Sequence, residues 1–287
     1  MNNLIFLLPL YNDWDSLKKV LDQINDNLKK LNRYGTIIVV NDLSKTSHNT
    51  FNRLSNIDEI TILNLKENVG SQKAISIGLK YISKSFNNTK IVTILDSDGE
   101  DDVSQIPLMI KNASDNPDKV IVSSRTKRQE KLIFKSLYFF HKLVTFFFTL
   151  KWISFGNYSS FLSKNIKQIL KNDKSWLAFS ACVAINCVIL KVYAPRKIRM
   201  LGKSKLSLSG LVNHALRVNA VFLNRLSIMF VIYLALFSFV KIKFIYLNIL
   251  FSSILIIYYL VILLTYITNK QKDFNTSLDL IKSIEKI

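Results

Sequence analysis

The sequence contains little cysteine and no low-complexity stretch, and each absence narrows the class of protein. Two cysteines, Cys182 and Cys187, are too few for a disulfide framework, and their spacing is typical of neither a metal site nor a redox pair. We expect both to be core residues of a domain that the cytosol keeps reduced. No repeat or flexible linker interrupts the 287 residues, which favours one sizeable core plus an appendage.

Acidic residues are also scarce, and the N-terminus lacks the pattern of a signal peptide. Asp and Glu number 20 against 39 Lys and Arg, a net charge of +19. Such a chain is expected to bind nucleic acid, anionic lipid or phosphorylated small molecules. Residues 1–10 form too short an apolar run, without a basic start, for a signal peptide. We therefore expect residues 1–225 to stay in the cytoplasm.

One C-terminal region accounts for the high mean hydropathy of +0.21. Between residues 226 and 267 the only charged side chains are Lys241 and Lys243. Residues 244–267 are long enough to cross a bilayer, whereas 226–240 spans it only if Arg225 and Lys241 extend to the two interfaces. The pattern predicts a transmembrane helical hairpin, 226–242 and 244–267, with one span plus an interfacial helix as the alternative.

The basic residues that flank this hairpin weakly favour cytoplasmic ends. They predict a multi-pass protein of the cytoplasmic (inner) membrane, with residues 1–217 and a tail, 268–287, facing the cytoplasm. Membrane segments make anionic lipid headgroups and phosphate substrates better partners than nucleic acid for so basic a chain.

Hydrophobic periodicity predicts alternating strands and helices over residues 4–123. The predicted strands are 4–10, 36–40, 60–65, 91–95 and 120–123. Helices are predicted to begin near Asn12 and to cover 74–82 and 106–112. This alternation is typical of right-handed βαβ units, so we expect an α/β fold with a mostly parallel sheet and helices on both faces.

A dense acidic cluster follows the fourth predicted strand, with five carboxylates within residues 96–102. Asp96 and Asp98 stand two apart, so in an extended segment both side chains leave the same face. Two carboxylates on one face suit Mg²⁺ or Mn²⁺, which take further ligands from water and substrate phosphates. An isolated pattern of this kind is more often an acidic surface turn with helix caps, so the flanking sequence has to decide.

Two other polar loops are expected beside this cluster. Residues 9–13 follow the first predicted strand and residues 41–44 follow the second. Because ligands bind at the carboxyl edge of parallel strands, the three loops together outline a nucleotide pocket next to a cation. There Asp42 could accept a hydrogen bond from a base N–H, and Tyr11 could pack beside the ring.

Short motifs occur in a fixed order over residues 4–217. They are Leu8-Pro9-Leu10-Tyr11-Asn12-Asp13, Asn41-Asp42-Leu43-Ser44, Asn68-Val69-Gly70 with Ala74 and Gly78, Asp96-Ser97-Asp98, Ser124-Arg125, Gly156-Asn157-Tyr158, and Arg199 with Gly202-Lys203-Ser204-Lys205. In this order, and followed by membrane segments, they resemble family 2 glycosyltransferases of the GT-A fold. The branch that matches best resembles polyprenyl-phosphate (dolichol-phosphate) sugar synthases.

The resemblance implies a GT-A catalytic domain over residues 1–217 and a role for each matching residue. It implies catalytic roles for Asp98 and Arg125, and metal ligation by Asp96, Asp98 and Glu100. Asp101, in the same acidic cluster, is a further candidate catalytic residue. The resemblance implies nucleotide-sugar binding by Pro9, Tyr11, Asp13, Asp42, Asp96, Arg196, Arg199, Ser204 and Lys205. Of these, Arg196, Arg199, Ser204 and Lys205 would form a basic loop that closes over the diphosphate. A cluster of guanidinium and ammonium groups suits that leaving group, although it is also typical of a basic run before a membrane segment.

Three positions depart from the family pattern. Asn41 stands where the family has an acid, Leu43 stands for a glycine, and Asn157 stands where many members have a carboxylate proposed as catalytic base. An amide cannot take a proton at neutral pH, which matters little for an anionic lipid phosphate but much for a sugar hydroxyl. The departure therefore favours a phosphate acceptor. For a hydroxyl acceptor, Asp101 or Asp102 could serve as base.

An aromatic segment at 131–155 also concerns whether the acceptor is a lipid. Basic residues and threonines recur on one side of it at helical spacing, and the remaining surface is rich in phenylalanine. This predicts an amphipathic helix in the headgroup plane, with 208–223 as its companion, although a core helix is the alternative.

The sequence thus predicts a membrane-tethered, inverting glycosyltransferase that uses Mg²⁺ or Mn²⁺. Its predicted partners are a nucleotide-sugar donor, a lipid-phosphate acceptor and membrane lipid, without nucleic acid and with a homo-oligomer left open. The alternatives are transfer to a sugar hydroxyl in cell-surface glycan assembly, or a catalytically degenerate membrane adaptor.

Overall fold

A single mixed sheet of eight strands forms the centre of the computed structural model. The structure describes residues 4–46, 51, 54–86, 90–125, 132–195, 197, 199–201, 208–239, 245–269 and 272–287. The strands are β1 (Leu4–Leu10), β2 (Gly35–Asn41), β3 (Ile57–Leu65), β4 (Ile91–Ile94), β5 (Lys119–Arg125), β6 (Phe155–Leu162), β7 (Val188–Ala194) and β8 (Ile281–Lys286). Their order across the sheet is β7-β5-β6-β4-β1-β2-β3-β8.

Six of these strands run in one direction. β1 pairs in parallel with β2 and β4, β2 with β3, and β5 with β7. Two strands run the other way, because β6 lies antiparallel between β4 and β5, and β8 lies antiparallel to β3. The predicted α/β fold with a mostly parallel sheet is confirmed.

Helices cover both faces of the sheet, as the continuously apolar central strands require. The helices are α1 (Trp14–Lys30), α2 (Ser71–Ser85), α3 (Ile106–Asp115), α4 (Leu132–Thr149), α5 (Ile166–Ile169), α6 (Phe179–Asn186), α7 (Leu208–Val221), α8 (Leu223–Phe239), α9 (Ile245–Thr268) and α10 (Lys272–Asn275). Alternate residues of β1 point to opposite faces: Phe6 and Leu8 pack with α1 and α3, and Leu7 packs with α2 and α6.

The end of the chain differs from the prediction, which treated residues 268–287 as a tail outside the sheet. β8 instead forms a sheet edge next to β3, with Ile62 opposite Glu285 and Leu63 opposite Ile284. Lys286 pairs with Glu59 of β3 at 3.1 Å. Residues 281–287 contain three isoleucines among charged side chains, too little apolar alternation to predict a strand.

α8 and α9 form an antiparallel helical pair. The rings of Phe230 and Tyr259 stack at 4.3 Å near the middle of the pair, and Asn248 Nδ2 donates to the Phe237 carbonyl at 3.1 Å near the turn between the two helices. Within the described residues, α9 belongs to the one helix that is long and apolar enough to span a membrane by itself. α7 and α8 meet that test only together, and they are bent by 86°.

The start of α8 and the end of α9 both contact the sheet domain. Leu226, near the start of α8, is fully buried in a cluster with Ala181 of α6 and Val218 of α7. Just after α9, Asn269 Nδ2 donates to the Trp176 carbonyl at 3.4 Å. The antiparallel pair therefore starts and finishes at the same side of the molecule.

α4 lies beside the helical pair and keeps much of its aromatic surface exposed. Tyr233 of α8 donates its hydroxyl to the Phe147 carbonyl at 2.7 Å, and Phe148 packs edge-on against the Tyr233 ring at 5.5 Å. The side chains of Phe139 and Phe140 remain 55% and 66% exposed. These two rings are therefore not part of the core, and a position in the headgroup plane stays a prediction.

Candidate functional site

The loops after β1 and β2 lie together, joined by side-chain hydrogen bonds. The Asn12 backbone N–H donates to Ser44 Oγ at 2.8 Å, and Asn12 Oδ1 accepts the Lys45 N–H at 2.6 Å. The register brings this about, since Leu10 pairs with Asn41 at the carboxyl ends of the two strands. Pro9 is buried in β1 and Tyr11 is half-buried just beyond it, so both lie at this edge.

Asp42 joins the β2 loop to the beginning of α2. Its two carboxylate oxygens accept the backbone N–H groups of Val69 and Gly70, at 2.7 and 2.8 Å. Its side chain is 3% exposed, and this burial raises the pKa of the carboxyl group, although the two N–H groups act in the opposite direction. Asp42 therefore holds the turn before α2, and contact with a base stays a prediction.

The acidic loop after β4 is folded by its own carboxylates. Asp101 Oδ2 accepts the Asp96 N–H at 2.9 Å, and Asp98 Oδ1 accepts the Glu100 N–H at 3.0 Å. Gly99 has a φ of +78°, and an added Cβ would lie 2.5 Å from Met200. The turn therefore requires glycine, which brings Asp96 and Asp98 into a compact loop.

Asp101 and Asp102, the predicted alternative bases, are both largely enclosed, at 6% exposed each. Oδ2 of Asp101 accepts the hydrogen bond from the Asp96 N–H, and Asp102 forms an ion pair with Lys197 at 2.7 Å. Burial alone would raise the pKa of Asp102, but hydrogen bonds from Lys197 and Ser104 and the Lys197 charge lower it overall. A lowered pKa makes this carboxylate a weaker base.

Arg199 connects the acidic loop to the loop after β1. Its guanidinium pairs with Asp98 Oδ2 at 3.1 Å through Nη1 and with Asp13 through Nη2. The backbone around it runs along the acidic loop, because the Lys197 N–H donates to the Glu100 carbonyl at 2.9 Å. The Arg199 side chain is only 11% exposed, so three predicted site residues meet in a sheltered contact.

Asn157, on β6, contacts the acidic loop from the other side. Its Nδ2 donates to Asp96 Oδ1 at 3.1 Å, and its Oδ1 accepts from Gln72 Nε2 at 3.1 Å. Gln72 Oε1 in turn accepts the Phe179 N–H at 2.7 Å. The sequence marked Asn157 only as a departure from the family, and it contained no signal for Gln72, a single amide on an amphipathic helix.

The remaining predicted residues lie at or beyond the limits of the described chain. Arg125 ends β5, which runs parallel to β4 in the sheet, so its backbone is at the same edge. Its side chain lies outside the described part, as do all of Arg196, Ser204 and Lys205.

Comparison with known protein families shows which family contains this chain. The family model described as glycosyl transferase family 2 matches residues 6–191, about two thirds of the chain. The chain belongs to glycosyl transferase family 2. It is therefore a glycosyltransferase that uses a nucleotide-sugar donor, as the sequence predicted.

Solved structures at 13% identity show that the fold is shared. Mannosyl-3-phosphoglycerate synthase from Rubrobacter xylanophilus superposes with a TM-score of 0.56, covering 79% of this chain and 74% of its own. Glucosyl-3-phosphoglycerate synthase from Mycobacterium tuberculosis, in complex with Mn²⁺ and UDP-glucose, gives a TM-score of 0.50, with 79% of each chain covered. No curated protein matches the sequence.

The carboxylates of this family 2 glycosyltransferase suit a cation that arrives with its substrate. Within the described ranges, no three His, Cys, Asp or Glu side chains are grouped so as to hold a metal ion by themselves. Asp96 and Asp98 supply hard oxygens, and Mg²⁺ is often bound by one or two carboxylates plus water and substrate phosphates. The donor set therefore fits a divalent cation whose coordination a diphosphate completes.

Proposed function

We propose that this glycosyltransferase moves a sugar from a nucleoside-diphosphate donor to a polyprenyl phosphate held at the cytoplasmic surface of a membrane. The observation that carries the acceptor assignment is Asn157, a neutral amide engaged by both Asp96 and Gln72. A lipid phosphate is already an anion and needs no base to attack the anomeric carbon, so an amide at this position costs no activity. Attack from the face opposite the diphosphate would invert the anomeric centre.

The donor diphosphate would lie between the acidic loop and the segment around Arg199. Asp96 and Asp98, with Glu100 as a further candidate, would hold Mg²⁺ or Mn²⁺ there, and the bound cation would offset charge that develops on the diphosphate. Arg199 would exchange Asp98 for a phosphate oxygen, joined by Arg125, Arg196, Ser204 and Lys205. Guanidinium groups form strong paired hydrogen bonds with phosphate, which suits this exchange.

The base and ribose of the donor would lie at the neighbouring edge of the sheet. Pro9, Tyr11 and Asp42 are at the ends of β1 and β2, where parallel sheets bind nucleotides. Asp13 would keep Arg199 in position as the guanidinium turns to the diphosphate, since the two already form an ion pair.

The membrane location rests on the C-terminal helices. α9 is long and apolar enough to cross a bilayer, and the α8–α9 pair begins and ends at the catalytic domain. The exposed aromatic face of α4 would lie at headgroup level beside them, where aromatic side chains are favoured. A lipid phosphate would then meet the soluble donor in a fixed orientation, which by itself contributes much of the rate.

A product assay tests the acceptor and the cation site together. Purified protein is incubated with Mg²⁺ or Mn²⁺ and a panel of nucleotide sugars, with and without polyprenyl phosphate, and the glycolipid is extracted. We expect product only with the lipid phosphate, loss of product in Asp98→Ala, and normal product in Asp22→Asn, an exposed carboxylate on α1. Product in the absence of lipid phosphate, or from Asp98→Ala, would contradict the proposal.

Transfer to a sugar hydroxyl is the second candidate. It is motivated by Asp101, which lies in the same loop as Asp96 and would be the base that a hydroxyl acceptor requires if the loop opened and released it from the Asp96 N–H. Product formed only with hydroxyl acceptors in the same assay, and lost in Asp101→Asn, would establish it.

A further inference from the structure

A line of amide hydrogen bonds runs from the beginning of α6 to the acidic loop. The Phe179 N–H donates to Gln72 Oε1, Gln72 Nε2 donates to Asn157 Oδ1, and Asn157 Nδ2 donates to Asp96 Oδ1. The three donor–acceptor distances are 2.7, 3.1 and 3.1 Å. Gln72 is 7% exposed, so water has little access to its two hydrogen bonds, whereas Asn157 and Asp96 are half-buried.

The bond from Phe179 determines which atom of each amide donates and which accepts. Phe179 is the first residue of α6, where backbone N–H groups lack an acceptor within the helix, and the preceding Ala178 has no side chain able to supply one. Gln72 Oε1 fills that role, which turns its Nε2 toward Asn157. Asn157 must then accept with Oδ1, so only its Nδ2 can face Asp96.

We propose that Gln72 is a positioning residue, which orients the Asn157 amide and thereby holds the Asp96 carboxylate ready to bind a divalent cation. With Nδ2 directed at Oδ1 of Asp96, the carboxylate is anchored in one rotamer while its second oxygen is left for the cation. A flipped Asn157 amide would place its oxygen against the carboxylate instead. This inference rests on the proposed role of Asp96 as a metal ligand.

Gln72→Glu separates this role from a purely structural one. The glutamate still accepts the Phe179 N–H, so α6 stays capped. Burying a carboxylate at a position only 7% exposed lowers the melting temperature, so Mn²⁺ binding is measured well below it. It cannot donate to Asn157, whose amide would then turn its nitrogen to Glu and its oxygen to Asp96. Gln72→Leu loses both bonds and should lower both cation affinity and melting temperature.

Mn²⁺ binding is the readout, measured on the full chain from the electron paramagnetic resonance signal of free hydrated Mn²⁺, with UDP or GDP present. We expect Gln72→Glu to weaken Mn²⁺ binding by about tenfold or more, the size typical of a lost hydrogen bond to a charged group. In activity assays, the Mn²⁺ concentration for half-maximal rate should rise while the rate at saturating Mn²⁺ changes much less. Ser76→Ala, which removes a buried bond to the Gln72 carbonyl on the same helix, should bind Mn²⁺ normally.

Two reference results distinguish the possible failures. If Asp98→Ala loses Mn²⁺ binding but Gln72→Glu binds within twofold of the unaltered protein, the positioning role is wrong and the proposed cation site stands. If Asp98→Ala binds normally, or the unaltered protein binds no Mn²⁺ with either nucleotide, the proposed cation site is wrong and the role of Gln72 falls with it.

Discussion

At the residue scale, the site depends on charged groups that neutralise one another. Arg199 contacts two carboxylates from different loops, Asp13 and Asp98, and Lys197 pairs with Asp102. The sequence predicted Asp98 and Arg199 as site residues because they lie in dense acidic and basic clusters. It did not predict the pairings, since Asp13 and Arg199 are 186 residues apart and no local pattern connects them.

Replacing Arg199 tests whether this guanidinium changes partners during the reaction. For Arg199→Lys we expect the donor kcat/KM to fall about 10- to 100-fold, because an ammonium group cannot bridge two acceptors as the planar guanidinium does. Steady-state kinetics with varied donor measures the effect, and Arg33→Lys, on the exposed turn after α1, is the matched control. A change of less than threefold would show that the bridge is dispensable.

Asp42 allows a test of stability at the same scale. Asp42→Asn should lower the free energy of unfolding by about 1–3 kcal/mol, because an amide has one acceptor oxygen for two backbone N–H groups. Its NH₂ group would face either Val69 or Gly70 as a second donor. Chemical denaturation in detergent measures the loss, with Asp22→Asn as control, and equal stability of the two variants would contradict this role.

At the element scale, the first five strands follow the predicted pattern closely, whereas the last three were not predicted. β1 to β4 are short apolar runs bounded by turns, which periodicity identifies well. β6 carries Gly156, Asn157 and two serines in its centre, so its composition is typical of a loop. Its place between β4 and β5 is set by tertiary packing, which overrides local preference.

The β3–β8 edge gives a prediction for acid conditions. The Thr61 hydroxyl and, to a smaller extent, Lys286 lower the pKa of Glu59, so the ionised carboxylate stabilises the folded edge at neutral pH. That contribution is present above the ordinary pKa of 4.5 and is lost as the pH falls through the lower folded value. We expect faster proteolysis after β8 lysines at pH 3.5 than at pH 7, once corrected for protease activity, and no such difference in Glu59→Gln.

At the scale of the whole molecule, the catalytic domain and the apolar helices form one unit. α6 and α7 pack with the base of the α8–α9 pair, and α4 covers its side. The sequence predicted the helices from hydropathy alone. It could not predict their attachment, which depends on small residues such as Ala178 and Ala181 that have no signature.

The exposed face of α4 gives a prediction about the acceptor. Phe139→Ser with Phe140→Ser should raise the KM for polyprenyl phosphate in vesicles several-fold, because each exposed ring contributes apolar area that lipid can bury. The donor KM should stay unchanged. Leu108→Ser, an exposed apolar residue on α3 away from these helices, is the control, and an equal effect on donor and acceptor would argue against contact with lipid.

The last strand has a consequence for biosynthesis. Glu59 and Lys286 are neighbours in the folded sheet but 227 residues apart in the chain, with both apolar helices translated between them. During synthesis, the edge of β3 stays unpaired until β8 has been made, after both apolar helices. Completion of the sheet therefore follows synthesis of both apolar helices, so a nascent chain that stops before β8 would expose the unpaired edge of β3 to quality control.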